Sequence, residues 1–94
     1  MGGILMKLAV EMAVMELDGE WNAVAVGEDS TKFHGMLRLN ETAADIIKLL
    51  ADDTDEETIN RELAQKYTAT SPDEIAKFVK EYLGQLRDAG LLKE

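Results

Sequence analysis

The sequence predicts an α+β domain in which a three-stranded antiparallel sheet is followed by three helices. Before residue 40 the apolar residues tend to alternate with polar or small ones, whereas from residue 41 onward they recur every three or four positions. Strands that precede a run of helices are typical of α+β domains, and a compact winged-helix-like arrangement suits this order. Because the chain has 94 residues and no linker-like segment, we expect one domain over residues 1–94.

The first two strands are predicted to form a hairpin. Apolar residues occupy one parity of the segment 7–17, as expected for a strand with one buried face: Leu8, Val10, Met12 and Val14. Asp18 and Gly19 are residue types favoured in a two-residue hairpin turn. A second strand is therefore predicted over residues 21–26.

A third strand is predicted over residues 33–39, after a polar segment with turn-forming residues. Leu37 and Leu39 fall on one face of this strand, and Met36 and Arg38 fall on the other. We expect the exposed face or the edge of the strand to be open to a partner.

Helices are predicted over residues 41–51 and 55–67. Asn40 is the expected N-cap of the first. The second is expected to begin with a capping box, in which Thr54 and Glu57 satisfy each other's backbone amides.

The third helix is predicted over residues 72–89. Ser71 is its expected N-cap, Pro72 suits the first helical position, and Gly90 suits the position just beyond the end. We expect Leu91 and the residue after it to fold back onto the core.

Composition and charge argue against several functions. The formal net charge of −9 disfavours nucleic acid as a partner. The chain has no cysteine, and its apolar N-terminal stretch is broken by charges, so we expect a cytoplasmic protein that neither enters a membrane nor carries an export signal. His34 has no acidic neighbour at ligand spacing, and the acidic cluster at 52–57 lacks the glycine of a calcium loop. We therefore predict no metal, no cofactor and no enzymatic activity.

The most specific segment of the chain is Leu37-Arg38-Leu39-Asn40-Glu41-Thr42-Ala43, where the third strand enters the first helix, and Ala89-Gly90-Leu91-Leu92 at the end reinforces it. Together with Thr54-Asp55-Glu56-Glu57, Glu81-Tyr82-Leu83-Gly84-Gln85-Leu86 and the order of the elements, these segments resemble the PqqD-like family over roughly the whole chain. Members of that family are small winged helix-turn-helix domains, also called RiPP recognition elements. The resemblance implies a protein that binds the leader of a ribosomally made precursor peptide, as in the maturation of pyrroloquinoline quinone. It also implies presentation of that peptide to a modifying enzyme, often a radical SAM enzyme.

The resemblance further implies that the leader adds as an extra strand along the third strand, in a cleft closed by the third helix. At 100° per residue the apolar residues of that helix cover about 140°, which is wider than the stripe of roughly 100° needed to face a core. The residues expected to contact the peptide come from both elements: Met36, Leu37, Arg38, Leu39, Phe78, Val79, Tyr82, Leu83 and Leu86.

Two other classes of function fit the same order of elements. A winged-helix DNA-binding protein is one, although the third helix mixes basic and acidic residues instead of presenting a basic face. A general protein-interaction subunit without peptide specificity is the other.

Overall fold

The structure, a computed structural model, describes residues 4–27 and 36–94. Its five strands are β1 (Lys7–Leu8), β2 (Met12–Leu17), β3 (Glu20–Ala25), β4 (Met36–Leu39) and β5 (Leu92–Lys93). Its three helices are α1 (Glu41–Leu49), α2 (Glu56–Lys66) and α3 (Pro72–Asp88). The predicted α+β class, with a three-stranded antiparallel sheet followed by three helices, is confirmed. The first three residues of the predicted third strand, which include His34, lie outside the described residues.

The main sheet has the strand order β2-β3-β4, with both pairs antiparallel. The hairpin turn between β2 and β3 consists of Asp18 and Gly19, whose φ angles are 52° and 82°. Both angles lie in the left-handed region that a tight two-residue hairpin requires. The turn was predicted correctly from this dipeptide.

The predicted first strand, 7–17, is wrong as a single element because the chain bends between β1 and β2. β1 leaves the main sheet and pairs with β5, with Leu8 opposite Leu92. The backbone N–H of Leu8 donates to the carbonyl of Leu50 at 2.9 Å, and that of Ala9 donates to the carbonyl of Leu91 at 2.8 Å. Segments distant in sequence therefore take the hydrogen bonds that would have continued the hairpin.

The start of α2 differs from the prediction by one residue. Asp55 is the N-cap, and its carboxylate accepts from the backbone N–H of Thr58 at 2.7 Å. Thr54 is instead held by an antiparallel bridge to Met6, with backbone hydrogen bonds of 2.7 and 2.9 Å. The capping box of Thr54 and Glu57 is therefore wrong, because the bridge fixes Thr54 outside the helix.

The other helix ends follow the expected signals. The side chain of Asn40 accepts from the backbone N–H of Ala43 at 2.7 Å and caps α1. Ser71 caps α3, with Pro72 in its first turn. Gly90 has a φ of 76° just beyond α3, which suits a residue without a Cβ.

The core lies between one face of the main sheet and the helices. α1 packs on β2, β3 and β4, and α2 packs on both α1 and α3. Leu91 is buried in the core, as predicted, and Leu92 packs partly buried against it. The central buried side chains are Ala23, Ile46, Ile47, Leu50, Ile59, Leu63, Val79 and Leu83. The opposite face of the sheet carries exposed apolar residues, among them Met15, Leu17 and Met36.

Candidate functional site

β4 is an edge strand of the main sheet. It pairs with β3 on one side, with Leu37 opposite Ala23 and Leu39 opposite Trp21. Within residues 4–27 and 36–94, no strand pairs with its other side. An unpaired strand side presents a row of free backbone N–H and C=O groups. The described segments therefore leave this side of β4 without a strand partner.

The side chains of β4 alternate between the two faces of the sheet. Leu37 and Leu39 are half-buried and pack against the core, whereas Met36 and Arg38 are exposed. The guanidinium group of Arg38 donates to the carboxylate of Glu20 at 3.0 Å on the adjacent strand. This pair of exposed charges is a weak restraint, because exposed ion pairs contribute only about 0 to 1 kcal/mol.

α3 presents two adjoining apolar surfaces. Its inner surface is buried in the core and consists of Ile75, Val79, Leu83 and Leu86. Beside it, Phe78 and Tyr82 are only half-buried. Their rings stack one helical turn apart, with centroids 5.9 Å apart and planes inclined by 5°. Offset stacking of this kind is favourable, and it holds both rings in one orientation.

A groove runs between the end of β4 and α3. One cleft of about 210 Å³ is lined by Arg38, Asn40, Ala43, Phe78, Glu81, Tyr82 and Gln85. A second cleft of about 240 Å³ is lined by Asn40, Thr42, Tyr67, Thr70, Glu74, Ile75 and Phe78. Because Asn40 and Phe78 line both clefts, we treat the two as one surface, the β4–α3 groove.

The structure divides the nine residues predicted to contact a peptide into three groups. Met36, Leu37, Arg38 and Leu39 form β4, and Phe78 and Tyr82 line the groove. Val79, Leu83 and Leu86 lie in the core and are at most 3% exposed. In this conformation the last three support the aromatic pair from beneath and have no surface of their own to offer to a partner.

Sequence reasoning did not include several polar residues that line the β4–α3 groove, notably Glu74, Glu81 and Gln85. The predicted contact residues of the helix were all apolar, and its charged residues were expected to be mainly solvated. Helical spacing contains the missing signal, since Glu81 and Gln85 follow Phe78 by three and seven positions and therefore share its side of the helix.

Two tyrosines at the groove have a raised pKa. Burial raises the pKa of Tyr82 above its ordinary value of 10.0, so its hydroxyl is neutral at physiological pH. Burial also raises the pKa of Tyr67, and the hydrogen bond from its hydroxyl to Asp45 adds to the effect. Both hydroxyls therefore act as neutral polar groups at the groove.

The described residues contain no group of three or more acidic or histidine side chains arranged to hold a metal ion. None of their helices has both the length and the apolar composition needed to cross a bilayer.

The fold and the groove define a small α+β binding domain with an edge strand, unpaired on one side within residues 4–27 and 36–94, beside an aromatic helix face. Residues 11–92 match the family model described as coenzyme PQQ synthesis protein D (PqqD), and the chain belongs to this family. Membership supports a peptide-binding accessory role in PQQ-type maturation, in a family whose members are non-catalytic. Searches among curated proteins and among solved structures returned no significant match.

Proposed function

We propose that this protein binds the leader of a ribosomally synthesised precursor peptide by strand addition to β4 and presents it to a separate modifying enzyme. The observation that carries the proposal is the side of β4 that no described strand covers, beside the half-buried pair Phe78 and Tyr82. Family membership adds the expectation of a peptide ligand. By resemblance to the family, we propose a radical SAM enzyme as the modifying partner, in the cytoplasm.

Backbone pairing alone does not provide stable binding. Each hydrogen bond contributes about 0.5 to 1.5 kcal/mol net, whereas ordering each peptide residue costs about 1 to 2 kcal/mol. A large apolar side chain that becomes buried contributes about 1.5 to 3 kcal/mol. One or two apolar contacts in the β4–α3 groove are therefore needed for measurable affinity.

The spacing of the aromatic pair suits an extended peptide. The ring centroids of Phe78 and Tyr82 are 5.9 Å apart. Alternate side chains on one face of a strand are about 6.6 to 6.8 Å apart. Two apolar side chains at positions i and i+2 of the peptide therefore fit over the two rings, while the peptide backbone pairs with β4.

The main sheet has a second edge at β2, and it is the obvious competing site. No residue of β2 lines the β4–α3 groove. A peptide on β2 would gain backbone hydrogen bonds without the aromatic contacts of α3. The additional apolar contacts therefore favour peptide binding at β4 over binding at β2.

The test is an NMR titration of the ¹⁵N-labelled protein with the N-terminal segment of a precursor peptide encoded beside its gene. We expect shifts of the amides of residues 36–39 and of α3 from Glu74 to Gln85. Shifts confined to β2, or no shifts at high micromolar peptide, would show that the proposed site is wrong.

The two alternative functions predict other results. A DNA-binding protein would bind duplex DNA tightly in a gel shift at low salt, against the repulsion expected from a net charge of −9. A general interaction subunit would form an oligomer or complex in solution scattering and ignore every leader peptide.

A further inference from the structure

The helix wall of the β4–α3 groove is acidic. Glu74 and Glu81 lie two helical turns apart on α3, and each lines one of the two clefts. Both are exposed, and neither forms a salt bridge with any residue that the structure describes. The groove therefore presents two carboxylates that no basic residue of the described segments bridges.

Lys77 shares this side of α3, but it forms no salt bridge with either glutamate in the described part of the chain. Arg38 is the one basic residue among those that line the groove, and its guanidinium group is bonded to Glu20 at 3.0 Å. Arg87 lies on another side of α3 and bonds to Glu94 at 2.8 Å. The formal net charge of −9 of the whole chain also favours a cationic ligand over an anionic one.

The acidic and aromatic residues of α3 have a common spacing. Glu74, Phe78 and Tyr82 are successive fourth residues, so each step advances about 6 Å along the helix axis. Alternate residues of an extended chain advance about 6.6 to 6.8 Å. If a peptide strand lies along α3, alternate side chains on one of its faces therefore lie beside Glu74, Phe78 and Tyr82 in that order or its reverse.

We propose that the groove selects a peptide with a basic residue two positions from a pair of alternating apolar residues. On this proposal, which rests on the proposed function, the ligand contains Lys/Arg-x-apolar-x-apolar, or the reverse order if the chain runs in the opposite direction. The apolar side chains cover Phe78 and Tyr82, and the cation lies beside Glu74. Glu81, between the two rings along the axis, attracts a further basic residue on the same side.

The test is selection of a displayed random peptide library on the complete protein, carried out in parallel on two double variants. Glu74→Gln with Glu81→Gln removes the acidic wall without changing side-chain size. Glu57→Gln with Glu62→Gln is the matched control, because it removes two negative charges from exposed positions of α2. Glu57 lies in the first turn of its helix, as Glu74 does in α3. One enriched peptide is then measured by fluorescence polarisation, with each Lys or Arg replaced by Gln.

We expect the wild type and the α2 variant to enrich peptides that contain both the basic residue and the alternating apolar residues. The α3 variant should enrich peptides with the alternating apolar residues but without a preference for the basic one. Each Lys→Gln change in the peptide is expected to weaken binding to the wild type by about two- to fivefold, as for exposed ion pairs. It is expected to leave binding to the α3 variant unchanged. The difference should shrink at 0.5 M salt, where exposed charges are screened.

The charge proposal is overturned if the wild type shows no preference for basic residues, or if the preference persists in the α3 variant. In either case the proposed function still stands when an enriched apolar peptide shifts the β4 amides. Enriched peptides that shift only amides remote from β4 and α3 would overturn both.

Discussion

The hydroxyl group of Tyr67 donates a hydrogen bond to the carboxylate of Asp45, and this bond joins the end of α2 to α1. Asp45 also accepts from the ammonium group of Lys66 at 2.9 Å, and its side chain is only 15% exposed. A carboxylate that is shielded from water depends on such partners. The pair therefore contributes to the helix packing beneath one end of the β4–α3 groove, which Tyr67 also lines.

We predict that Tyr67→Phe lowers the free energy of unfolding by about 1 to 2 kcal/mol, because it leaves the Asp45 carboxylate short of one donor. Urea unfolding at pH 7 measures the change. Tyr82→Phe is the matched control, since the hydroxyl of Tyr82 has no hydrogen bond to any described residue, and it should change stability by less than about 0.5 kcal/mol. Equal effects of the two substitutions would contradict the role assigned to the bond with Asp45.

The two tyrosines of the chain make its stability sensitive to alkaline pH. Folding raises both pKa values above 10.0, chiefly by burial, so the folded state binds these protons more tightly than the unfolded state. Below pH 10 both states are protonated and the full stability is present. Above pH 10 the unfolded state loses its protons first, so stability falls as the pH rises.

The measurement for this prediction is tyrosinate absorbance at 295 nm as a function of pH, in buffer and in urea. We expect the folded protein to titrate at higher pH than the unfolded chain. Each Tyr→Phe variant should retain one delayed transition. A folded titration that coincides with the unfolded one would show that burial does not affect the two hydroxyls.

Capping of α2 provides a third prediction. Asp55→Ala should lower the free energy of unfolding by about 0.5 to 2 kcal/mol, since its carboxylate accepts from the backbone N–H of Thr58. Thr54→Val, which keeps the backbone bridge to Met6, should cost less than about 0.5 kcal/mol. Thermal or urea unfolding measures both changes. A larger loss of stability for Thr54→Val than for Asp55→Ala would support the capping box of Thr54 and Glu57 instead.

The edge used by a peptide is tested by two substitutions of equal exposure. Met36 on β4 is 62% exposed and Leu17 on β2 is 64% exposed, so Asp at either position has a similar effect on the folded state. If the peptide adds to β4, Met36→Asp should weaken binding about tenfold or more, and Leu17→Asp should leave it unchanged. Isothermal titration with a leader that binds the wild type measures both. A loss confined to Leu17→Asp would indicate the β2 edge.

The aromatic pair is expected to dominate the affinity. Tyr82→Ala removes the ring that stacks on Phe78 and should weaken peptide binding about tenfold or more, as for a central aromatic contact of an interface. Tyr82→Phe keeps the ring and should bind within about twofold of the wild type. Circular dichroism of both variants checks the fold, and a folded Tyr82→Ala protein with unchanged affinity would exclude the pair as the main contact.

Local chemistry in the sequence was sufficient for the hairpin turn and for most helix ends. Asp18 and Gly19 adopt the positive φ angles that their residue types favour, and Asn40 and Ser71 cap their helices as expected. Each of these features depends on contacts within four residues. The alternating and helical apolar patterns were likewise sufficient for the α+β class, because each element buries one face.

The same patterns did not separate core from groove on α3. Phe78 and Val79 are neighbours in one apolar run, yet one lines the groove and the other is fully buried. Periodicity locates the apolar side of a helix, but it does not show where the packing partners end. The boundary between buried and groove-lining residues of α3 depends on α2 and β5, which pack on the helix, and on β4, which leaves a gap beside it.

By itself, the sequence determined the order of the main-sheet strands and the three helices, most of the helix starts, and that the molecule is strongly acidic, but it did not predict β5. Only the tertiary structure decided that the first predicted strand divides between two sheets, that Thr54 bridges to Met6, and which side of β4 has no strand partner among the described residues. The physical reason is that backbone hydrogen bonds between distant segments compete for the same donors and acceptors. The outcome of that competition depends on the packing of the whole chain, which no local pattern contains.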